Sequence, residues 1–363
     1  MTPVTPLHAE LAALIAAEGP LPLDRYMALC LGHPRFGYYM ARDPLGAAGD
    51  FTTAPEISQV FGELIGFWAA ATWENMGRPG TLRLVECGPG RGTLIKDFLR
   101  AARVLPAFRA AIDLHLVETS PRLAALQRDA VAASGITATW HVDLGGVPPG
   151  PAIVIGNEFL DALPIRQFVA TPAGWRERVI GLDGDRLAFG LAPDPIPAAL
   201  LASFPAPPEP GAVAEIRPAF AHLAAALGAR LAGSTQAALF IDYGHVHHAY
   251  GDTFQAVRKH AFADPLAAPG EADLTAHVDF AALAEAARGA GLAASAPLSQ
   301  RDLLFVLGLE ARTQGLMQAN RKRAKALLKA VERLIDPAPT GMGTLFKAQV
   351  LHAPDLAVPA FDR

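Results

Sequence analysis

Apolar residues recur at helical spacing in the first part of the chain. His8 to Glu18 reads as a short amphipathic helix stopped by Gly19-Pro20, and Pro22 to Leu31 as a second. An aromatic-rich turn follows, Gly32-His33-Pro34-Arg35-Phe36-Gly37-Tyr38-Tyr39, and then a Gly/Thr/Pro loop from Gly46 to Pro55. From Glu56 to Asn75 the pattern predicts a long helix, with Val60, Phe61, Leu64, Ile65 and Trp68 on its core side.

From Thr81 the pattern changes to an alternation of short apolar runs and helical stretches. Leu82–Glu86 reads as a strand, a glycine loop follows, and a helix runs from Thr93 to about Val104. Ile112–Glu118 is a second strand. Ser120-Pro121 has the N-cap and first-position chemistry that opens a helix. Thr137–Val142, Ala152–Asn157 and Ala237–Asp242 complete a βαβ series, which implies a doubly wound, mostly parallel sheet. Ala152–Asn157 is apolar throughout, as a central strand requires.

The last two of these strands are too far apart for an ordinary crossover. An insertion is expected between them, at about 165–235. Trp175–Ile180 and Arg186–Gly190 flank Asp183-Gly184, a hairpin signal, and a Pro-rich stretch from Pro193 to Pro210 leads to an Ala-rich helix at Ala219–Leu231. Phe280–Ala290 and Leu303–Leu334 read as helices, and Lys347–His352 as a closing edge strand. The expected division is an N-terminal helical segment with a lid loop at 1–80, and a sheet domain at 81–363 carrying the insertion and C-terminal helices.

Composition narrows the function classes. The chain has 363 residues, 51% hydrophobic and 18% charged, so it can bury a large core. A net charge of −4 speaks against a nucleic-acid footprint. Cys30 and Cys87 form no C-x-x-C pair, and two buried thiols are expected rather than a disulfide or zinc site. The first residues show no secretory signal and no Arg-rich leader, and no apolar run reaches membrane-spanning length, so the cytoplasm is the expected compartment.

Candidate chemistry gathers at the expected strand ends, where open α/β sheets bind ligands. The loop Glu86-Cys87-Gly88-Pro89-Gly90-Arg91-Gly92 has glycines at 88, 90 and 92, with Thr93 where a dinucleotide fingerprint would place its third glycine. The turn lets backbone approach a ligand closely. Glu86 is placed for a cationic amino group and Glu118 for a ribose diol; Asp143 is placed to read an adenine edge. With Pro89, these residues make up the expected S-adenosylmethionine site of a class I methyltransferase, a Rossmann-like fold. A glycine-rich turn of another α/β protein is the plainer reading, and an NAD-dependent oxidoreductase the alternative cofactor reading. The loop after the fourth strand holds Asn157, Glu158 and Asp161, an amide and two carboxylates suited to a guanidinium fork. Helix capping and a solvated Asp161 stand beside that reading. Gly49–Gln59 is either a lid that brings Thr52 and Thr53 to the cofactor or a cap built on Thr53 or Ser58. His245-Val246-His247-His248 lacks partners at metal spacing, so no metal is expected. Arg321-Lys322-Arg323 with Lys325 reads as a solvated helix face or a docking site for an acidic partner.

Taken together, Gly49–Gln59, the Glu86–Gly92 loop, Asn157–Pro164 and Asp242-Tyr243-Gly244 resemble the MidA-like family of S-adenosylmethionine-dependent methyltransferases. His33–Tyr39, Gly270–Phe280 and Gly341–Lys347 fit as well, so the resemblance covers nearly the whole chain. It implies a protein arginine methyltransferase, symmetric dimethylation, and a core subunit of respiratory complex I as protein partner. An assembly chaperone that uses the cofactor structurally, or a methyltransferase with another acceptor, are the other readings. Neither nucleic acid nor membrane insertion is expected.

Overall fold

The computed structural model describes residues 5–41, 52–205 and 208–361. The chain folds into two compact units. The larger takes Thr52–Leu160, Ala221–Val246 and Phe280–Arg363; the smaller takes Met1–Phe51, Asp161–Phe220 and His247–Asp279. This corrects the expected division. The helix after residue 58 belongs with the sheet, the first helices belong with the insertion, and a third segment after His247 joins them.

The larger unit is built on β1 (Leu82–Cys87), β2 (Ile112–Val117), β3 (Ala138–His141), β4 (Ala152–Asn157), β5 (Gln236–His245) and β6 (Phe346–His352). Their order across the sheet is β3-β2-β1-β4-β5-β6, parallel up to β5 and antiparallel at β6. β6 does not close an open edge, because Ala293–Ala294 and Leu298–Ser299 pair along its outer side. Alternate side chains go to opposite faces. Leu84, Ile153, Ile155, Leu239 and Ile241 pack with α2 (Gln59–Asn75) and α3 (Thr93–Ala102) through Phe61, Leu64, Ile65, Trp68, Ile95 and Phe98. Val85, Val154 and Phe240, on the other face, are also fully buried. Both faces are covered, which is why these strands read as continuous apolar runs. The architecture is the expected Rossmann-like, doubly wound α/β fold.

Two helical predictions break at identifiable residues. Ser58 is extended, and its hydroxyl accepts from the Val60 N–H, so α1 (Ala54–Ile57) is separate from α2. The stretch read at Leu303–Leu334 is divided at Gly308, whose φ is +91°, and at Asn320, whose side chain caps the next turn. Helices there are Gln300–Val306, Leu309–Ala319 and Ala324–Leu334. Inside α2, the buried carboxylate of Glu63 accepts from Arg100 Nε at 2.8 Å and Arg312 Nε at 2.7 Å, tying three helices together.

The smaller unit holds a sheet in the order Leu21–Pro22, Gly174–Asp183, Arg166–Thr171, Val213–Ile216, with Arg186–Pro195 paired to Gly174–Asp183. The hairpin is the expected one, its turn formed by Gly184 and Asp185. Leu7, Leu11, Tyr26, Met27, Ile165, Ile180 and Leu274 form its core. Cys30 and Cys87 are buried and unpaired. No helix among the described residues is long and apolar enough to cross a membrane.

Candidate active site

Strand order reverses between β1 and β4, and the crevice outside the carboxyl ends of two such strands is where a doubly wound sheet binds its ligand. The glycine loop leaves β1 at this point. Gly88, Gly90 and Gly92 have φ of +63°, +56° and +77°, so the loop is a run of left-handed residues that side chains would strain. The Gly88 N–H donates to the Val117 carbonyl at 3.0 Å and the Gly92 N–H to the Pro89 carbonyl at 2.8 Å. Gly92 is also closely packed, since a Cβ there would lie 3.0 Å from the Ala130 Cβ. The loop ends on the N-terminus of α3, whose unpaired N–H groups favour an anion.

Glu86 lies on β1 just before the loop and is 3% exposed. Its Oε2 has no hydrogen-bond partner. Burial pushes its carboxyl up to about 8. A buried acid without a partner is unfavourable on its own, and a ligand ammonium is the group that would complete it. S-adenosylmethionine carries such a group, so the residues fit that cofactor.

Glu118, past the end of β2, is half-buried. Its Oε1 accepts from the Ser120 N–H at 2.7 Å and its Oε2 from Gln127 Nε2 at 2.9 Å. Burial raises its carboxyl, while those hydrogen bonds pull it back. The same Gln127 amide donates to the Gly90 carbonyl at 2.8 Å, and its Oε1 accepts from Trp140 Nε1 at 2.9 Å. Gln127 thus joins the acid to the glycine loop. Nothing in its place in the sequence of α4 (Pro121–Ala132) marks it, because the role depends on contacts across three elements. Asp143 follows β3 and is exposed; its Oδ1 accepts from the Gly146 N–H at 3.0 Å and caps a short turn.

At the end of β4, Asn157 is 9% exposed. Its Nδ2 donates to Glu158 Oε1 at 3.1 Å, and its buried Oδ1 has no partner. Glu158 has φ of +50°, unusual for a residue with a side chain. Its Oε1 also accepts from the Ala54 N–H at 2.9 Å. The segment holding Thr52 and Thr53 is therefore fastened to the end of β4. Glu56 of the same segment accepts from the hydroxyl of Thr93, the first residue of α3. Thr53 supplies only its carbonyl to α1, whereas Ser58 caps α2 with its side chain. Asp242, fully buried on β5, accepts from the Phe159 and Leu160 N–H groups at 3.1 and 2.8 Å and sets the path of the loop. Gly49 to Phe51 lie outside the described residues.

Asp161 begins the next segment of the smaller unit and is 6% exposed. There the hydroxyl of Tyr39 donates to Asp273 Oδ1 at 2.8 Å. Burial first, then the charges of Asp273 and Asp161, hold the Tyr39 proton well above its ordinary range, so the tyrosine stays neutral. Arg217, also buried, donates to the carbonyls of Asp161, Leu163, Ala276 and His277 and secures this loop. Tyr39, Asp161 and Asp273 come from three strings quoted for the family resemblance. Single-residue reasoning identified only Asp161. His248 pairs with Asp279 at 2.8 Å, and no group of three metal-ligating side chains occurs among the described residues.

Known proteins similar to this chain share the cofactor class that the residues fit. The family model described as "Putative S-adenosyl-L-methionine-dependent methyltransferase" matches residues 64–298. The chain is 37% identical over 377 residues to "Protein arginine methyltransferase NDUFAF7, mitochondrial" of Homo sapiens, with 96% of this chain and 84% of that protein covered. It is 37% identical over 371 residues to the Drosophila melanogaster homolog of that protein, covering 94% and 83%. A crystal structure of a Burkholderia thailandensis protein bound to S-adenosyl-homocysteine is 31% identical, with a TM-score of 0.87 over 98% of this chain and 94% of that one. The native form of a Burkholderia thailandensis protein of the same superfamily aligns with a TM-score of 0.83. The chain belongs to this family and is an S-adenosyl-L-methionine-dependent methyltransferase.

Proposed function

We propose that this methyltransferase acts on an arginine side chain of a protein, with Glu86, Gly88, Pro89, Gly90, Gly92 and Glu118 as the cofactor-binding set. The relatives named protein arginine methyltransferases support the acceptor class. The observation that carries it is the Asn157 amide. Glu158 fixes its Nδ2, which leaves a buried acceptor, Oδ1, at the strand end beside the glycine loop. A guanidinium is rich in N–H donors and arrives charged. Within the smaller unit, Asp161 and Asp273 make an acidic setting around Tyr39 that by itself suits a cation.

The cofactor supplies an electrophilic methyl group on a sulfonium. Glu86 would pair with its amino group, giving up a proton to do so. Glu118 would accept from its ribose hydroxyls, and Asp143 remains the proposed contact to the adenine edge. Thr52 and Thr53 cover the site from the fastened segment. Asn157 would orient the acceptor so that one nitrogen points along the transfer direction; positioning is the main contribution. As the nitrogen–methyl bond forms, the methyl–sulfur bond would break with the neutral thioether as leaving group, and the Glu158 carboxylate at the strand end would take the proton the nitrogen releases. Glu158 holds Asn157 and the Thr52–Ile57 segment in place. The proposed product is symmetric dimethylarginine, the proposed partner a core subunit of respiratory complex I, and the proposed compartment the cytoplasm.

Asn157→Ala and Glu158→Gln test this directly. Methyl transfer into a purified candidate subunit should fall by about a hundredfold for Asn157→Ala, the order seen for loss of one oriented polar contact, with cofactor affinity little changed. Wild-type turnover by both variants would remove this loop from the reaction. If methyl transfer occurs with normal cofactor affinity but into lysine or a carboxylate, the acceptor class is wrong.

A further inference from the structure

The helix Ala324–Leu334 carries a charge pattern that folding stability does not explain. Its inner side is anchored, with Val331 and Leu334 buried and Leu327 packed on the core. Its outer side shows Lys325, Lys329 and Arg333 at a spacing of four, and Arg321 in the preceding turn continues that spacing. All four are exposed, as are Lys322 and Arg323. Among the described residues none of the six forms a salt bridge. Like charges four apart on a helix repel. Cations gathered at a helix N-terminus also oppose the macrodipole. Local stability would select against both features, yet both are present in one stretch.

From Lys325 to Arg333 the ladder spans about 12 Å at the α-helical rise, and the preceding turn lengthens it, so it addresses an extended ligand rather than a small anion. From 321 to 333 there are six cations and one acid, Glu332, a charge of +5; with −4 for the whole chain, the remainder carries −9. The net acidity of the whole chain disfavours a large polyanion such as a duplex or an anionic bilayer. A discrete acidic segment would meet the ladder alone. Leu328, 44% exposed beside Lys329, adds an apolar contact of the kind a protein segment uses.

We propose that the outer face of Arg321–Arg333 is a docking surface for an acidic segment of a protein partner, a helix or extended stretch with carboxylates repeated over about three turns. This stands whether or not arginine is the residue methylated. Fluorescence anisotropy with a labelled oligoglutamate peptide tests it on the full chain. The wild type should bind saturably, with affinity dropping about tenfold or more between low and high salt, since the contacts are exposed. The triple variant Lys325→Glu, Lys329→Glu, Arg333→Glu should lose at least about tenfold in affinity. Its cofactor affinity should be unchanged, which separates lost docking from lost folding. Single Lys329→Glu places an acid between two cations and should not lower Tm, giving a second, fold-neutral variant that also weakens the peptide. Absence of saturable peptide binding, equal binding by the variants, or tighter binding of phosphatidylglycerol vesicles or single-stranded RNA than of the peptide would each overturn the proposal.

Discussion

Glu86 places the strongest constraint on the site's chemistry. Its carboxyl is raised from 4.5 to about 8 by burial, so in the ligand-free protein it holds a proton at neutral pH. The folded state then binds more protons than the unfolded state between these values. Its contribution to stability is therefore fully present below pH 4.5 and is lost as pH rises through about 8. Glu86→Gln should remove that downward slope from a plot of Tm against pH. Cofactor binding through an ammonium favours the carboxylate. Calorimetry at pH 7 in buffers of different ionisation heat should show release of about one proton per cofactor bound. Glu86→Gln should show none and bind more weakly; undiminished proton release would assign it to another group. The position of Glu86 was legible from the strand and loop pattern. Its missing partner was not, because an absent contact leaves no trace in the sequence. Gln127 was illegible for the opposite reason, since its bonds to Glu118, Gly90 and Trp140 join residues that only the folded sheet brings together.

At the scale of elements, the segment Thr52–Ile57 is fastened at both sides, to Glu158 through the Ala54 N–H and to Thr93 through Glu56. Glu158→Gln and Glu56→Ala should each speed hydrogen exchange of the Ala54 amide and shorten cofactor residence in stopped-flow chase. Exchange at the wild-type rate in both would mean the segment is held by packing alone. Glu63→Ala should cost about 2–3 kcal/mol in denaturant unfolding. That is less than for a fully enclosed pair, because Arg100 and Arg312 are 39% and 34% exposed and regain water. Periodicity located β1 to β4 within a residue or two; β1 and β4 are largely apolar runs buried on both faces, whereas β2 and the edge strand β3 are only partly buried and were legible from their place in the βαβ alternation. It overran the helices at Ser58, Gly308 and Asn320, where one capping or left-handed residue interrupts an otherwise continuous apolar rhythm.

At the scale of the whole molecule, the doubly wound sheet and its glycine loop followed from the βαβ alternation, and the family comparison agrees with them. The make-up of the smaller unit did not follow. It assembles three separated segments whose pairings, such as Leu21 with Ile180 and Gln255 with Thr275, each involve a strand too short to show a period, Leu21–Pro22 in the first and Gln255–Arg258 and Asp273–Thr275 in the second. Acidic residues of that unit, Asp161 and Asp273, consequently looked unrelated in the sequence, whereas the fold gathers them around Tyr39. Methyl transfer onto arginine depends on the glycine loop. The most direct measurement is mass spectrometry of a purified protein acceptor incubated with isotopically methyl-labelled S-adenosylmethionine and either the wild type or Gly90→Val. At φ of +56° a β-branched side chain is strained and fills the space the ligand needs. The label should appear on arginine with the wild type and be absent with a folded Gly90→Val protein. Label on another residue type, or undiminished label with the variant, would contradict the account.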